Sequence, residues 1–146
     1  MGLDVDAVAV ALAAAVTTAA INLNGQRVTA TDFVPDALTP PHFAVAEFVN
    51  TFHRSFGGRD EWSVTCRLFV SRADDAEGQR TARKAASSTG SASILAAIEA
   101  ARGNPGERAL GGAADDLVVQ SVRGPRLYQV GESNFYGVEF VVFVTG

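Results

Sequence analysis

The period of the hydrophobic pattern changes several times along the chain, and each change marks a predicted element. Residues 3–21 carry apolar side chains at spacings of three and four, which indicates a helix. Asp4 and Asp6 fall in its first turn, where the helix dipole favours acidic groups, and Asn24-Gly25 tolerate the left-handed backbone that ends a helix. The predicted buried face consists of Val5, Val8, Leu12, Ala15, Val16 and Ala19.

The middle of the chain predicts a long hairpin. Residues 26–33 form a short strand, and a rigid proline-rich loop follows and ends in Pro40-Pro41. Residues 42–52 and 60–71 are strands joined through Gly57-Gly58, and the second strand alternates with period two. Each arm spans roughly 35 Å at ~3.3 Å per residue, against a radius of gyration of about 15 Å for such a domain. We therefore expect one end of the hairpin to project and to gain stability from a partner surface.

Two helices follow this hairpin in the prediction. Ser71-Arg72-Ala73-Asp74 has the pattern of a capping box and leads into a helix over residues 74–86. Ser91 or Ser93 can cap a second helix that extends to Ala101. The glycines and the proline of residues 103–112 indicate a loop.

The C-terminal part predicts a strand over residues 117–123 and a closing hairpin of residues 126–130 and 134–144. In the last arm, Val141 and Phe143 lie opposite the main apolar face, so both faces of that strand are expected to be partly covered. The main apolar face consists of Tyr136, Val138, Phe140, Val142 and Val144.

Together these elements predict a single α+β domain over residues 1–146. A mixed or antiparallel sheet carries the long N-terminal helix and the two-helix segment on it, with one projecting β-hairpin. At 146 residues and 15.2 kDa the chain can bury a core without a disulfide or metal, and its one cysteine cannot form an internal disulfide. The first helix is short for a membrane span and has acidic residues where a signal peptide is basic.

Candidate catalytic and ligand-binding groups are sparse. His42 and His53 are expected to be ordinary surface or turn residues, and Cys66 a buried structural thiol. Asp74-Asp75 and Asp115-Asp116 are expected to be solvated caps rather than metal ligands. We therefore predict no catalytic residues, no cofactor and no metal.

One cluster combines aromatic and basic residues. Phe52, Phe56 and Trp62 flank Arg54 and Arg59 near the predicted hairpin tip. Such a cluster could stack on nucleic-acid bases, but the net charge of −4 argues against a general nucleic-acid binder. We favour a protein interface, whose predicted residues are Arg54, Phe56, Arg59, Asp60 and Glu61.

Several stretches carry a family resemblance. They are Phe33-Val34-Pro35-Asp36 before a proline pair; Asp60-Glu61-Trp62 running into Leu68-Phe69-Val70-Ser71-Arg72-Ala73-Asp74-Asp75, with Gln79-Arg80; Thr89-Gly90-Ser91 leading to Ala96-Ala97-Ile98-Glu99; and Asp115-Asp116-Leu117 with Val122-Arg123-Gly124, closing on Tyr136-Gly137-Val138-Glu139-Phe140. Their order and residue identities resemble those of tail terminator proteins of long-tailed phages, especially those that infect actinobacteria. The resemblance covers nearly the whole chain, although the loop at residues 103–112 is longer than in the family pattern.

The resemblance implies a structural virion protein and not an enzyme. Such proteins form a homo-hexameric ring on the last ring of the tail tube, halt its polymerisation and present a surface to the head-tail connector. They are assembled in the bacterial host cytoplasm and reside at the head–tail joint, with no membrane contact. DNA is expected to pass through the lumen without specific binding, which suits an acidic protein.

Three other functions stay open at this point. A head–tail connector or head-completion protein would share the size and ring symmetry, and would differ in the end of the joint that it binds. A tail tube subunit would extend into filaments. A small enzyme or ligand-binding domain is the third, because a fold alone excludes no function.

Overall fold

A computed structural model describes residues 3–23, 25–50, 61–72 and 76–146. The described residues form a single α+β domain. One sheet has five strands in the order β3-β4-β5-β7-β6, with β3 parallel to β4 and every other pair antiparallel; β1 and β2 form a separate two-stranded sheet. The elements are α1 (Val5–Ala19), β1 (Asn22–Leu23), β2 (Gln26–Arg27), β3 (Thr29–Thr31), β4 (His42–Asn50), β5 (Glu61–Arg72), α2 (Ala76–Ala86), α3 (Ile94–Ala100), a 3₁₀ turn (Leu110–Gly112), β6 (Asp116–Val130) and β7 (Ser133–Thr145).

Helix α1 forms as its apolar spacing predicts. The Asp4 side chain caps it and accepts hydrogen bonds from the amides of Asp6 and Ala7. The buried face differs in part from the prediction, since Ala15 is half-buried and Ala19 is exposed. The buried residues are Val8, Ala9, Leu12, Ala13 and Val16.

The predicted end of α1 is wrong. The helix stops at Ala20, which adopts the left-handed conformation at φ 54°, and Gly25 instead lies in the turn between β1 and β2. The physical reason is tertiary: Ile21 and Leu23 are 5% and 3% exposed, so the chain must leave the helix early to bury both.

The hairpin of β4 and β5 is confirmed, but its described arms do not project. Antiparallel pairing runs from His42 with Phe69 to Asn50 with Trp62. On its other side β5 pairs with β7 from Glu61 onward, so the described arms lie inside the sheet. The predicted tip, residues 51–60, lies outside the described residues.

Strand β6 is one continuous strand where the sequence indicated two segments. It pairs with β7 over its whole length, with irregularities between Val119 and Ser121 and between Arg123 and Arg126. The second irregularity accommodates Gly124-Pro125. Because β6 is an edge strand of the sheet, a proline is tolerated there, and the ladder with β7 resumes at Arg126.

The three α-helices of the described residues pack on one face of the sheet. Helix α1 contacts β3 and β4, α2 contacts β5, β6 and β7, and α3 contacts β6. The predicted inward face of β7 is confirmed, with Val138, Phe140, Val142 and Val144 fully buried, while Val141 and Phe143 are half-buried on the other face.

Of the N-caps predicted for α2 and α3, only that of α3 is confirmed. The capping box is wrong, because Ser71 and the following Arg72 both belong to β5 and pair with Tyr136 and Phe135, so Ser71 does not cap α2. Ser93 does cap α3: its hydroxyl accepts from the Ala96 amide at 2.9 Å and donates to the carbonyl of Ser87.

Candidate functional site

The sheet has a second face, which points away from the helices and is called here the open face. Cross-strand pairing places Val49, Ser63, Phe143 and Val118 in one row across it. Val49 and Val118 are 48% and 47% exposed, and Phe143 between them is half-buried. Three of the four members are apolar and reach solvent, and the row is called here the apolar row, although Ser63 lies between Val49 and Phe143.

The other end of the open face is covered by the loop at residues 32–41. Leu38 of this loop packs on a small cluster of Ala44, Phe69 and Phe135. The loop also approaches the turn after β6, since a Cβ at Gly131 would lie 3.1 Å from the Asp36 carbonyl oxygen. The open face is thus divided into a covered end and an exposed apolar row.

A charged cluster lies between these two parts. Arg67 of β5 and Glu139 of β7 pair across the ladder, and their Nε–Oε1 distance is 3.4 Å. On the other side of β7, Arg123 pairs with Glu139 and Arg126 pairs with Gly137. Cross-strand partners project on the same side of a sheet, so these side chains share the open face.

Tyr128 lies at the centre of this charged cluster. The Arg67 guanidinium sits 5.1 Å from its ring centroid, and the ring meets Phe69 edge-on at 6.0 Å. Its hydroxyl is buried and has no hydrogen-bond partner among the described residues. Burial, and then the charge of Glu139, raise the pKa of the Tyr128 phenol, against the opposing effect of the arginines.

The predicted interface residues fall mostly beyond the structural description. Arg54, Phe56, Arg59 and Asp60 lie outside the described residues. Glu61 begins β5 and is half-buried beside Thr145.

The described part of the predicted aromatic–basic cluster belongs to the core side. Trp62 meets Phe48 edge-on at 6.3 Å on the helix-covered face, opposite to Glu61. The other members of the predicted cluster, Phe52, Phe56 and the two arginines, lie outside the described residues.

No family model matches this chain, and no curated protein matches it.

His42 is not the surface residue that the sequence indicated. It is 6% exposed, with Nδ1 2.6 Å from the Thr29 hydroxyl and Nε2 2.9 Å from the Thr31 hydroxyl. Thr31 in turn donates to the Phe33 carbonyl, so a neutral ring with its proton on Nε2 satisfies the network. Burial lowers the pKa of His42. His42 therefore fastens β3 to β4, and His53 lies outside the described residues.

Cys66 is the buried thiol that its alternating neighbours predicted. It is fully buried in the core of β5, and burial raises the pKa of its thiol to about 12. A thiol in this state is a poor nucleophile.

The side chains of Asp115 and Asp116 are solvent-exposed as predicted, at 39% and 47%, but they stand at the start of β6 and do not cap a helix. Asp115 forms an ion pair with Arg108 at 3.0 Å, and Asp116 forms one with Arg102 at 2.8 Å. Asp74-Asp75 lie outside the described residues.

The described residues hold no group of three or more His, Cys, Asp or Glu side chains placed to bind a metal ion. Within the same part of the chain, none of the helices has the length and apolar character needed to cross a bilayer.

Sequence reasoning missed all members of the charged cluster, including Arg123, Arg126 and Tyr128. The stretch Arg123-Gly124-Pro125-Arg126 interrupts a regular alternation, so its members cannot be assigned to one face from spacing alone. Only the irregular register of β6 on β7 brings them together.

Proposed function

We propose that this chain is a structural virion protein of the tail terminator type. In this proposal six copies form a ring that caps the tail tube, stops its polymerisation and provides the docking surface for the head-tail connector. The exposed apolar row of the open face carries the proposal. An isolated exposed valine is ordinary, whereas several exposed apolar side chains in one cross-strand row are typical of a surface that another chain covers.

The two edges of the sheet support assembly into a ring. Among the described residues no strand pairs with the outer edge of β6, and β3 covers β4 only from His42 to Ala44. Exposed strand edges are templates for pairing with another chain. The edges also differ in charge, since β4 carries Glu47 and β6 carries Arg123. Contacts between unlike surfaces of identical copies close into rings when the rotation permits.

The stretches behind the resemblance supply further contact surfaces. Phe33 and Val34 are 57% and 37% exposed in the loop at residues 32–41. Residues 54–61, which include the predicted interface, connect β4 with β5, and we propose that they reach a neighbouring subunit or the tube. The negative net charge agrees with a lumen through which DNA slides without being held.

The first test is the absolute mass of the purified protein by light scattering across concentration, with and without magnesium, followed by negative staining. We expect closed rings with a mass near six times 15.2 kDa. Purified tube protein is then added: a terminator binds tube ends and shortens the tubes. Growth of this chain alone into long filaments would make it a tube subunit, and capture of portal-side proteins without tube binding would make it a connector. A protein that stays monomeric and does not bind tube ends would refute the proposal.

The open face is tested with a matched pair of variants. Val118→Asp places a charge in the apolar row, and Val10→Asp makes the same change on α1 at a valine of similar exposure, 51% against 47%. We expect V118D to lower the ring fraction at least tenfold and V10D to leave it unchanged, with circular dichroism confirming that both fold. Loss of rings in V10D alone would place the interface on the helix side and contradict the assignment.

The interface at residues 54–61 is tested separately. A variant with Arg54, Phe56 and Arg59 all changed to Ala is expected to fail in ring assembly or to give tails of abnormal length. Normal rings together with normal tail length would remove these residues from the interface.

A further inference from the structure

Three arginines and a tyrosine converge on the open face, and we propose that Arg67, Arg123, Arg126 and Tyr128 bind a phosphate group. All four residues belong to one copy of the chain, so phosphate binding can be measured whether or not the proposed ring forms. Their convergence comes from the pairing of three strands, since β5 and β6 both pair with β7 and present these side chains on the same face.

The tyrosine ring is held in place from several sides. Gly137 leaves room for it, because a Cβ at that position would lie 2.9 Å from the Tyr128 Cδ2 atom. The Arg67 guanidinium lies over the ring and Phe69 meets it edge-on. The ring is therefore fixed by packing, so its hydroxyl has a defined position among the charges.

The Tyr128 hydroxyl is buried and lacks a hydrogen-bond acceptor among the described residues. Buried polar groups in native proteins are nearly always hydrogen-bonded, so an unpaired one calls for an explanation. An anion that accepts from the Tyr128 hydroxyl would supply the partner once the side chains that cover this oxygen move aside.

The charge of the cluster selects the anion. Arg67, Arg123, Arg126 and Glu139 all act electrostatically on the Tyr128 hydroxyl, which leaves two positive charges in excess. Arg123 and Arg126 are exposed and form no ion pair with any described residue, so their guanidinium groups are available to a ligand. A phosphate monoester carries about −1.5 to −2 at pH 7 and accepts several hydrogen bonds, whereas a carboxylate or a phosphodiester carries a single charge, so the expected ligand is a monoester. Guanidinium groups also match phosphate oxygens in geometry.

The binding of inorganic phosphate is measured by NMR titration or calorimetry at constant ionic strength, with chloride as the reference anion. Tyr128→Phe removes only the hydroxyl, and Arg126→Gln removes one charge. The matched controls are Tyr136→Phe, at the other tyrosine of the chain, and Arg83→Gln, at an exposed arginine on α2 that forms no ion pair with a described residue.

We expect Y128F and R126Q each to weaken phosphate binding about tenfold, in line with the loss of one charge-assisted hydrogen bond. The dissociation constants of Y136F and R83Q for phosphate should stay within about twofold of that of the wild-type protein. Absence of saturable phosphate binding, or an equal loss in the controls, would overturn the proposal.

A competition experiment identifies the source of the phosphate. A short single-stranded oligonucleotide without terminal phosphates is titrated against bound inorganic phosphate. Displacement that disappears in R126Q assigns the site to a nucleic-acid backbone. If phosphate stays bound in the presence of the oligonucleotide, the site is assigned to a small phosphorylated molecule. This outcome agrees with the repulsion of a polyanion by a chain of net charge −4.

Discussion

The cap of α3 gives the sharpest test of how local hydrogen bonds hold this fold together. Ser93 is 3% exposed, and its hydroxyl makes two bonds at once, to the Ala96 amide and to the Ser87 carbonyl. It thereby joins the start of α3 to the segment that leaves α2. Ser93→Ala removes both bonds with little change in side-chain volume.

The expected loss follows from the two bonds. Replacing a serine cap by alanine costs about 1 kcal/mol, and losing a second, partly buried hydrogen bond costs roughly another 0.5–1.5 kcal/mol. We therefore expect S93A to lower the free energy of unfolding by about 2 kcal/mol. With a urea m value of ~2 kcal/mol/M, the unfolding midpoint falls by roughly 1 M.

The matched control is Ser91, which the sequence left as the alternative cap. Ser91 is exposed, so S91A is expected to change stability by less than about 0.5 kcal/mol. Both variants are compared with the wild-type protein by urea unfolding at pH 7, followed by fluorescence and circular dichroism. An S93A midpoint equal to that of S91A would refute the assignment of Ser93 as the structural cap.

Three further predictions concern the core and the sheet. Because burial holds the pKa of His42 below its ordinary value of 6.5, the unfolded chain binds the extra proton, and the urea midpoint should fall as pH drops below about 6.5; His42→Gln should flatten this part of the pH profile, and equal profiles would contradict it. Cys66 should not react with a thiol reagent at pH 8 in the native protein but should react fully in denaturant; native labelling would contradict its burial. Gly137→Ala should lower stability by about 1–3 kcal/mol in urea unfolding, because its Cβ would lie 2.6 Å from the Leu68 carbonyl oxygen; an unchanged midpoint would contradict this packing.

The elements with regular periodicity were predictable from the sequence. The alternation of Val64, Cys66 and Leu68 in β5 fixed both the strand and its buried face, and all three are fully buried. Helix α1 followed for the same reason from Val8 and Leu12. In each case the side chains that enter the core repeat with the period of the backbone, so spacing alone carries the information.

The errors arose where tertiary contacts decide. The end of α1 at Ala20 has no glycine or asparagine to mark it, and β6 contains Pro125, which sequence rules associate with a break. Burial of His42 depends on two threonines of β3 that lie 13 and 11 residues before it. None of these outcomes can be read from local propensity, because each depends on contacts that form only in the folded protein.

The candidate site was beyond sequence reasoning for a related reason. Arg67 and Glu139 are 72 residues apart and meet only through the pairing of β5 with β7. The remaining arginines reach the same face through an irregular register that no spacing rule predicts. The proposed interface at residues 54–61, in contrast, rests on the sequence, and its placement lies outside the described residues.

One glycine links the stability of the sheet to the proposed phosphate site. Gly137 lies in β7 between β5 and β6, and its missing side chain makes room both for the Leu68 carbonyl and for the Tyr128 ring. A side chain there would strain the ladder and displace the tyrosine together, so G137A cannot separate the two roles. Tyr128→Phe keeps the ring over the glycine and removes only the hydroxyl. A loss of phosphate binding in Y128F at unchanged unfolding free energy would therefore show that the cluster has a role beyond packing.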